Sequence, residues 1–173
     1  MGTKYYAGIG SRKTPPDILD LMEKIAFWLQ QQGWILRTGA CQGADQAFTK
    51  GALGGAYFPV ELFLPWKSYE EKFTNRASKR GAIVKTLKRD DKEALKSVAK
   101  YHPIAKKLGV PERKFHARNW LIVKDAKFVI CWTPGGKETG GTGQGLRIAR
   151  DLGIPVFNLA IPADRKRIEE KIK

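Results

Sequence analysis

The sequence predicts an α/β fold, with a doubly wound, mainly parallel sheet of about five strands flanked by helices. Short runs rich in β-branched and aromatic residues alternate along the chain with longer stretches whose apolar residues recur at helical spacing. That alternation is typical of parallel sheets, in which each crossover helix covers one face. In addition, loops that contain glycine follow three of the predicted strands. The 173 residues are enough to bury a core and most simply form one domain.

The first half of the chain contains three predicted strands and two predicted helices. Pro15 and Pro16 open the first helix, because proline suits the start of a helix, and its apolar face continues to about Gln32. The second helix covers residues 44–53. The three strands are YYAGI at 5–9, WILRT at 34–38 and VELFL at 60–64.

The second half of the chain begins with a segment that is basic and polar. Residues 66–112 contain one predicted helix, near 90–101, and we interpret them as a basic helical insertion in a single domain that spans 1–173. A helix over 112–126 follows. The last predicted elements are the strand KFVICW at 127–132, a helix over 146–152 and the strand IPVFNL at 154–159.

The chain carries a large positive charge. Its 32 Lys and Arg residues against 17 Asp and Glu residues leave a net charge of +15. Residues 66–125 hold 17 of the basic and 7 of the acidic residues, so this segment alone contributes +10. Such a field attracts phosphate polymers without selecting a sequence, which favours a nucleic-acid partner. A basic surface that only keeps the protein soluble is the alternative.

Other classes of protein receive little support. No apolar run is long enough to span a bilayer, and the first residues lack a signal-peptide pattern, so we expect a cytoplasmic protein without a membrane partner. Cys41 and Cys131 are far apart in sequence and predict buried free thiols. His102 and His116, which are the two histidines, lack ligand spacing, so we expect no metal and no cofactor.

Three glycine-containing loops are predicted to meet at one edge of the sheet. They cover residues 8–13, 39–45 and 134–145, and each follows a strand. Ligands of parallel sheets bind at the carboxyl ends of the strands, where glycine lets backbone amides approach an anion closely. None of the loops matches the GxGxxG dinucleotide motif or the GxxxxGK[ST] phosphate loop. The loops predict a phosphate or ribose site, and purely structural turns are the alternative.

Polar side chains near these loops are candidates for ligand contacts. Arg12 follows the first strand and can pair bidentately with phosphate, or else form a surface ion pair. Asp45 can cap the second helix or contact a ribose hydroxyl or a base. Arg118 can reach a phosphate or bond carbonyls near the end of its helix.

Several motifs together resemble a known superfamily. GSRK at 10–13, GACQGAD at 39–45, ARN at 117–119 and a glycine loop leading to GIPVF are similar to the Rossmann-type core of DprA-like proteins. The resemblance extends from Tyr5 to Leu159 in the order of the family's motifs. These are DNA-processing proteins, in a wider group that includes the LOG-type phosphoribohydrolases. The resemblance implies a Rossmann-like sheet whose loops bind nucleotides or single-stranded nucleic acid, and a homodimer is compatible with it.

The resemblance also implies which residues form the site. They belong to three turns and to one helix that flanks the pocket. The first turn is Gly10, Ser11 and Arg12; the second is Gly39, Ala40, Gly43 and Asp45; the helix supplies Arg118 and Asn119; and the third turn is Pro134, Gly135, Gly136, Thr139, Gly140, Gly141 and Thr142.

The glycine loop departs from the LOG-type motif PGGxGTxxE, whose glutamate takes part in cleaving the N-glycosidic bond. Here three residues, 137–139, are inserted after the PGG, and Gly145 stands where the glutamate is expected. Because a glycine cannot transfer protons, Glu138 in the same loop is the candidate catalytic residue. The favoured function is binding of single-stranded DNA or RNA phosphates in DNA processing. A nucleotide N-glycosidase or phosphoribohydrolase and a non-catalytic small-nucleotide sensor are the alternatives.

Overall fold

The computed structural model describes residues 2–55 and 58–172. Within them lies a six-stranded, entirely parallel sheet with the strand order β4-β3-β2-β1-β5-β6. The predicted α/β class with a doubly wound parallel sheet is therefore confirmed. The strands are β1 (Tyr5–Gly10), β2 (Ile35–Thr38), β3 (Val60–Leu64), β4 (Ala82–Thr86), β5 (Val129–Trp132) and β6 (Val156–Asn158).

Seven α-helices connect and cover the described strands. They are α1 (Pro16–Gln31), α2 (Ala44–Gly55), α3 (Glu71–Lys79), α4 (Lys92–Tyr101), α5 (Val110–Val123), α6 (Gly140–Asp151) and α7 (Pro162–Glu169). Short 3-10 turns lie at Ala105–Lys107 and Pro134–Gly136. Among the described residues, no helix combines the length and the hydropathy that a membrane span requires.

Two apolar cores lie on opposite faces of the sheet. Successive residues of a strand point to opposite faces, so Tyr6 packs in one core and Ala7 in the other. The first core contains the apolar residues of α1 and α2, such as Phe48. The second contains those of α5 and α6, such as Ile122. The sheet is thus covered on both faces, as the alternating sequence pattern predicts.

Residues 66–112 contain a strand that the sequence pattern does not reveal. β4 pairs in parallel with β3, from Val60 opposite Ala82 to Leu64 opposite Thr86. As an edge strand β4 has a neighbour on one side alone, and Ala82 is its one buried residue. Without an apolar run or a clean alternation, so short a segment reads as part of a polar insertion. The sheet has six strands instead of about five for this reason.

Helix α6 begins at Gly140, six residues before the predicted start at Leu146. Glycine has a low helix propensity, which is why the sequence favours a loop here. Tertiary packing outweighs that propensity. A side chain at position 143 would collide with the backbone of Glu138, and one at position 145 would press on Ile9. The glycine-rich segment is therefore mostly the first two turns of a closely packed helix.

The strand order creates a crevice between β1 and β5. The chain runs outward from β1 to β4 and then returns to β5, which pairs with the other side of β1. The connections that leave β1 and β5 consequently cross to opposite faces, and the carboxyl ends of the two strands are left open between them. This is the edge at which the sequence places the glycine loops.

The close contact between α1 and α2 can be tested by substitution of two glycines in α2. A Cβ atom at Gly51 would overlap the carbonyl of Glu23, whereas at Gly54 the nearest atom would be Cδ2 of Phe27 at 3.5 Å. We expect Gly51→Ala to lower the free energy of unfolding by about 1–3 kcal/mol, because the helices must separate. Gly54→Ala should leave it unchanged or raise it by up to about 1 kcal/mol. Urea denaturation measures both, and equal losses would contradict this account.

Candidate functional site

A cavity of about 400 Å³ opens at the carboxyl ends of β1 and β5. It is bordered by the turn after β1, the turn after β2, the segment after β5 and the helices α5 and α6. The lining residues are Ile9, Gly10, Ser11, Arg12, Lys13, Cys41, Asp45, Phe115, Arg118, Asn119, Ile122, Pro134, Thr139, Gly140, Gly141 and Thr142.

Arg118 is a buried cation in the wall of this cavity, with 2% of its surface exposed. Its Nη1 donates a hydrogen bond to the backbone oxygen of Phe63 at 3.0 Å, and its guanidinium lies 4.7 Å from the centre of the Phe115 ring. Nε has no hydrogen-bond partner among the described residues. Because a guanidinium has five N–H donors and buried donors need partners, Arg118 is equipped to hold an anion in the cavity.

Gly39 allows Arg118 and Asp45 to approach each other. A Cβ atom at position 39 would overlap both Nη1 of Arg118 and Oδ2 of Asp45. The same Oδ2 accepts a hydrogen bond from the backbone N–H of Cys41 at 3.3 Å. Burial raises the pKa of the Asp45 carboxyl to about 6, against the lowering effect of Arg118 and of the Cys41 amide. Asp45 is therefore a titratable group near neutral pH.

The first turn of α6 borders the cavity. Thr139 is the N-cap residue and makes no side-chain cap hydrogen bond, and residues 139–142 line the cavity. Asn119 anchors this turn, since its Nδ2 donates to the backbone oxygen of Gly141 at 3.1 Å and to Oε1 of Gln144 at 2.8 Å. Amides that a helix leaves unpaired at its N-terminus, together with the helix dipole, favour a bound anion.

The turn after β1 presents two cations to the cavity. Ser11 holds the turn, because its Oγ accepts from the backbone N–H of Lys13 at 3.0 Å and its carbonyl accepts from Thr14 Oγ1 at 2.6 Å. Arg12 and Lys13 are exposed and line the cavity. Gly43, with a φ of +89°, packs against the backbone of Ser11 and Arg12 and so supports the turn.

A second cavity of about 390 Å³ adjoins the first and shares Arg12, Phe115 and Gly141 with it. Trp66 contributes an aromatic ring to its wall and packs edge-on against Tyr69, with ring centres 5.2 Å apart. Tyr69 packs in turn against Phe115 at 5.9 Å. The complete lining is Arg12, Trp66, Pro111, Glu112, Phe115, His116 and Gly141.

His116 is a buried residue in the lining of the second cavity. Its Nδ1 has no hydrogen-bond partner among the described residues, and its ring lies 4.2 Å from that of His102. Burial, followed by the neighbouring His102 and Arg118, lowers the pKa of His116 to about 4. His116 is consequently neutral at physiological pH and adds no charge to the site.

Eleven of the candidate residues from the sequence line the first cavity. They are Gly10, Ser11, Arg12, Asp45, Arg118, Asn119, Pro134, Thr139, Gly140, Gly141 and Thr142. The remaining candidates lie outside the lining, in the turns that support it. They are Gly39, Ala40, Gly43, Gly135, Gly136 and Glu138. Gly135 and Gly136 have positive φ angles and form the 3-10 turn after β5.

Glu138 points away from the cavity. Its carboxylate pairs with Arg150 of α6, and its backbone oxygen accepts a hydrogen bond from Nη1 of Arg147 at 3.2 Å. These contacts favour a role in holding the loop against α6. A catalytic role for Glu138 stays a prediction, and the geometry adds no support to it.

Five residues that the sequence did not single out also line the cavity: Ile9, Lys13, Cys41, Phe115 and Ile122. Local signals point to two of them. Lys13 follows Arg12 in the same turn. Phe115 lies three residues before Arg118, and this spacing places Phe115 and Arg118 on one face of their helix. Cys41 is part of the turn between Gly39 and Asp45, but its contact with the cavity depends on tertiary structure.

The pKa values of Asp45 and His116 give stability opposite dependences on pH. The Asp45 carboxyl titrates at about 6 when folded and near 4 when unfolded, so its effect is a loss of stability as pH rises from about 4 to about 6. His116 titrates at about 4 when folded and near 6.5 when unfolded, so its contribution is lost as pH falls from about 6.5 to about 4.

We therefore expect the free energy of unfolding of Asp45→Asn, relative to the parent, to increase as pH rises from about 4 to about 6. His116→Gln should show the reverse trend over the same range. Chemical denaturation at a series of pH values measures both. A difference for Asp45→Asn that does not change with pH would contradict the raised pKa of this carboxyl.

No protein-family model and no curated protein matches the chain. Solved structures do match. DNA processing protein A from Helicobacter pylori, described for its single-stranded DNA binding mode, is 18% identical, with a TM-score of 0.66 over 98% of this chain and 73% of that protein. The DprA of Streptococcus pneumoniae is 19% identical, with a TM-score of 0.61 over 96% of this chain and 56% of that protein. The chain therefore has the Rossmann-like fold of the DprA proteins, and the expected resemblance to them is confirmed at the level of the fold.

Proposed function

We propose that the chain binds single-stranded nucleic acid by holding a backbone phosphate in the cavity at the ends of β1 and β5. One observation carries the proposal: the buried Arg118 guanidinium, whose Nε lacks a partner in the described residues, lines the same cavity as the uncapped first turn of α6. A phosphate oxygen would supply acceptors to both groups. Charge-assisted hydrogen bonds of this kind are among the stronger ones in proteins.

The surroundings of the cavity favour a strand over a single phosphate. Arg12 lines both cavities and makes no ion pair with a described residue. It would therefore lie between two neighbouring nucleotides. Trp66 and Phe115 offer aromatic surfaces in the second cavity, and stacking on aromatic rings is how many proteins hold unpaired bases.

Charge and fold support the same function. The net charge of +15 attracts a phosphate polymer, and +10 of it lies in residues 66–125, which include α5 and Arg118. The Helicobacter pylori protein of the same fold binds single-stranded DNA, and the Streptococcus pneumoniae protein is a DNA processing protein. The chain spans little more than half of the latter, so the activity and partners of a whole DprA protein are proposals for this chain.

Arg12→Gln tests the phosphate contact. We expect the affinity for a short fluorescent oligodeoxythymidine to fall about ten- to a hundredfold, because a charge-assisted hydrogen bond is lost. The slope of log affinity against log salt should become shallower by about 0.7. Lys24→Gln, which removes an exposed charge from α1 outside both cavities, should change the affinity less than about twofold. Fluorescence anisotropy measures all three proteins.

Two results of that titration would contradict the proposal. One is an absence of oligonucleotide binding by the parent protein at low salt. The other is an equal loss for Arg12→Gln and Lys24→Gln, which would mean that net charge alone attracts the strand. Mononucleotides that bind as tightly as oligonucleotides, and are not turned over, would instead favour the small-nucleotide sensor.

Cleavage of a nucleotide N-glycosidic bond is the second candidate function, and one observation favours it. Asp45 is a carboxyl of the cavity wall whose pKa is raised to about 6, which suits proton transfer near neutral pH. In such a reaction water adds to the sugar carbon, the bond to the base nitrogen breaks, and the departing base takes up a proton. Asp45 is better placed for this proton transfer than Glu138, which pairs with Arg150.

Release of free base from nucleoside 5′-monophosphates, followed by chromatography, tests this second candidate. If the reaction occurs, Asp45→Asn should slow it by about a hundredfold or more, the usual contribution of a general acid or base. Glu138→Gln should leave the rate unchanged, since its carboxylate is directed at Arg150. A parent protein that releases no base eliminates the enzyme without affecting the proposal of strand binding.

A further inference from the structure

An apolar cavity of about 310 Å³ lies near the amino ends of β2 and β5, away from the glycine loops. It is bounded by α1, the sheet and α7. Its size equals roughly ten water molecules and is within the range of small-molecule sites. The walls are mainly apolar, and none of the residues that line the cavity is acidic.

Four aromatic rings form much of this cavity, from Trp28, Trp34, Phe128 and Phe157. Phe128 is packed edge-on between Trp34, at 4.8 Å, and Phe157, at 6.2 Å. All four side chains contact the first apolar core but are only partly buried. Contact between the aromatic rings and water is unfavourable in free energy. A planar apolar group in the cavity would remove that contact and would pack against the rings.

Two cations of the C-terminal segment border the cavity without carboxylate partners. Arg167 lies 5.4 Å from the centre of the Phe157 ring, and neither Arg167 nor Lys171 makes an ion pair with a described residue. Other cations of α7 behave differently. Arg165 pairs with Glu169 at 2.8 Å, and Lys166 is within 3.9 Å of a carboxylate one turn later. The two cations of this segment that border the aromatic surface are therefore available to a ligand.

We propose that this cavity binds a small aromatic carboxylate. Its ring system would lie among the four aromatic side chains, and its carboxylate would accept hydrogen bonds from Arg167 and Lys171. Charge complementarity favours this class of ligand, because a carboxylate would gain hydrogen bonds from both cations that an apolar chain segment or a neutral ring would not make. The proposal concerns a different part of the molecule from the strand-binding cavity and does not depend on it.

Titration calorimetry with 2-naphthoate and with the neutral 2-naphthalenemethanol tests the proposal. We expect 2-naphthoate to bind one to one with a dissociation constant on the order of 1 mM or tighter, and the alcohol to bind at least about tenfold more weakly. The double variant Arg167→Gln/Lys171→Gln should remove most of that preference. Both changes are on exposed side chains, so the variant should fold like the parent.

A matched control separates the site from general charge. Lys166→Gln/Lys96→Gln also removes two exposed cations, neither of which borders the cavity, and should bind 2-naphthoate like the parent. The proposal is overturned by any of four results. They are no binding of 2-naphthoate, equal binding of the alcohol, equal losses in the two double variants, or displacement of 2-naphthoate by an oligonucleotide. Displacement by an oligonucleotide would mean that 2-naphthoate binds in the glycine-loop cavity at the carboxyl ends of β1 and β5.

Discussion

The buried guanidinium of Arg118 is the constraint on which the site depends. A charge that is removed from water must be solvated by the protein, and here the backbone oxygen of Phe63, the ring of Phe115 and the carboxyl of Asp45 surround it. These groups come from β3, α5 and the start of α2. Gly39 must lack a side chain for them to meet. One cation thus fixes how three distant segments assemble at the end of the sheet.

The glycines of this edge serve packing more than ligand binding. Gly39 makes room for two charged side chains, and Gly43 supports the turn that carries Arg12. Gly143 lets α6 fold back onto the backbone of residue 138. Among the groups that line the cavity, the cations and the backbone amides at the start of α6 are the ones whose charge suits an anion. In this protein, the glycine-rich motifs at the strand ends indicate close packing of the backbone more directly than they indicate an anion site.

The two ends of the parallel sheet differ in chemistry. At the carboxyl ends, turns and a helix N-terminus present amides and cations, which suit phosphate. At the amino ends, Trp34 and Phe128 stand just before their strands and face an apolar cavity. The sequence predicted a site at the carboxyl ends alone, because the glycines and charges there form compact motifs. Aromatic residues that are spread over the chain carry no such local signal.

The sequence, together with the family resemblance of its motifs, named Arg12, Asp45 and Arg118 as site candidates, and all three line the cavity. By itself it determined the α/β class, the main strands and the glycine-containing segments that follow three of them. These follow from periodicity and turn chemistry, which are local properties of the chain. Tertiary structure decided the rest: β4 is a strand because it pairs with β3, α6 begins among glycines because of close packing, and Glu138 turns to Arg150. Each of these depends on contacts between segments that are distant in sequence, and no local pattern records them.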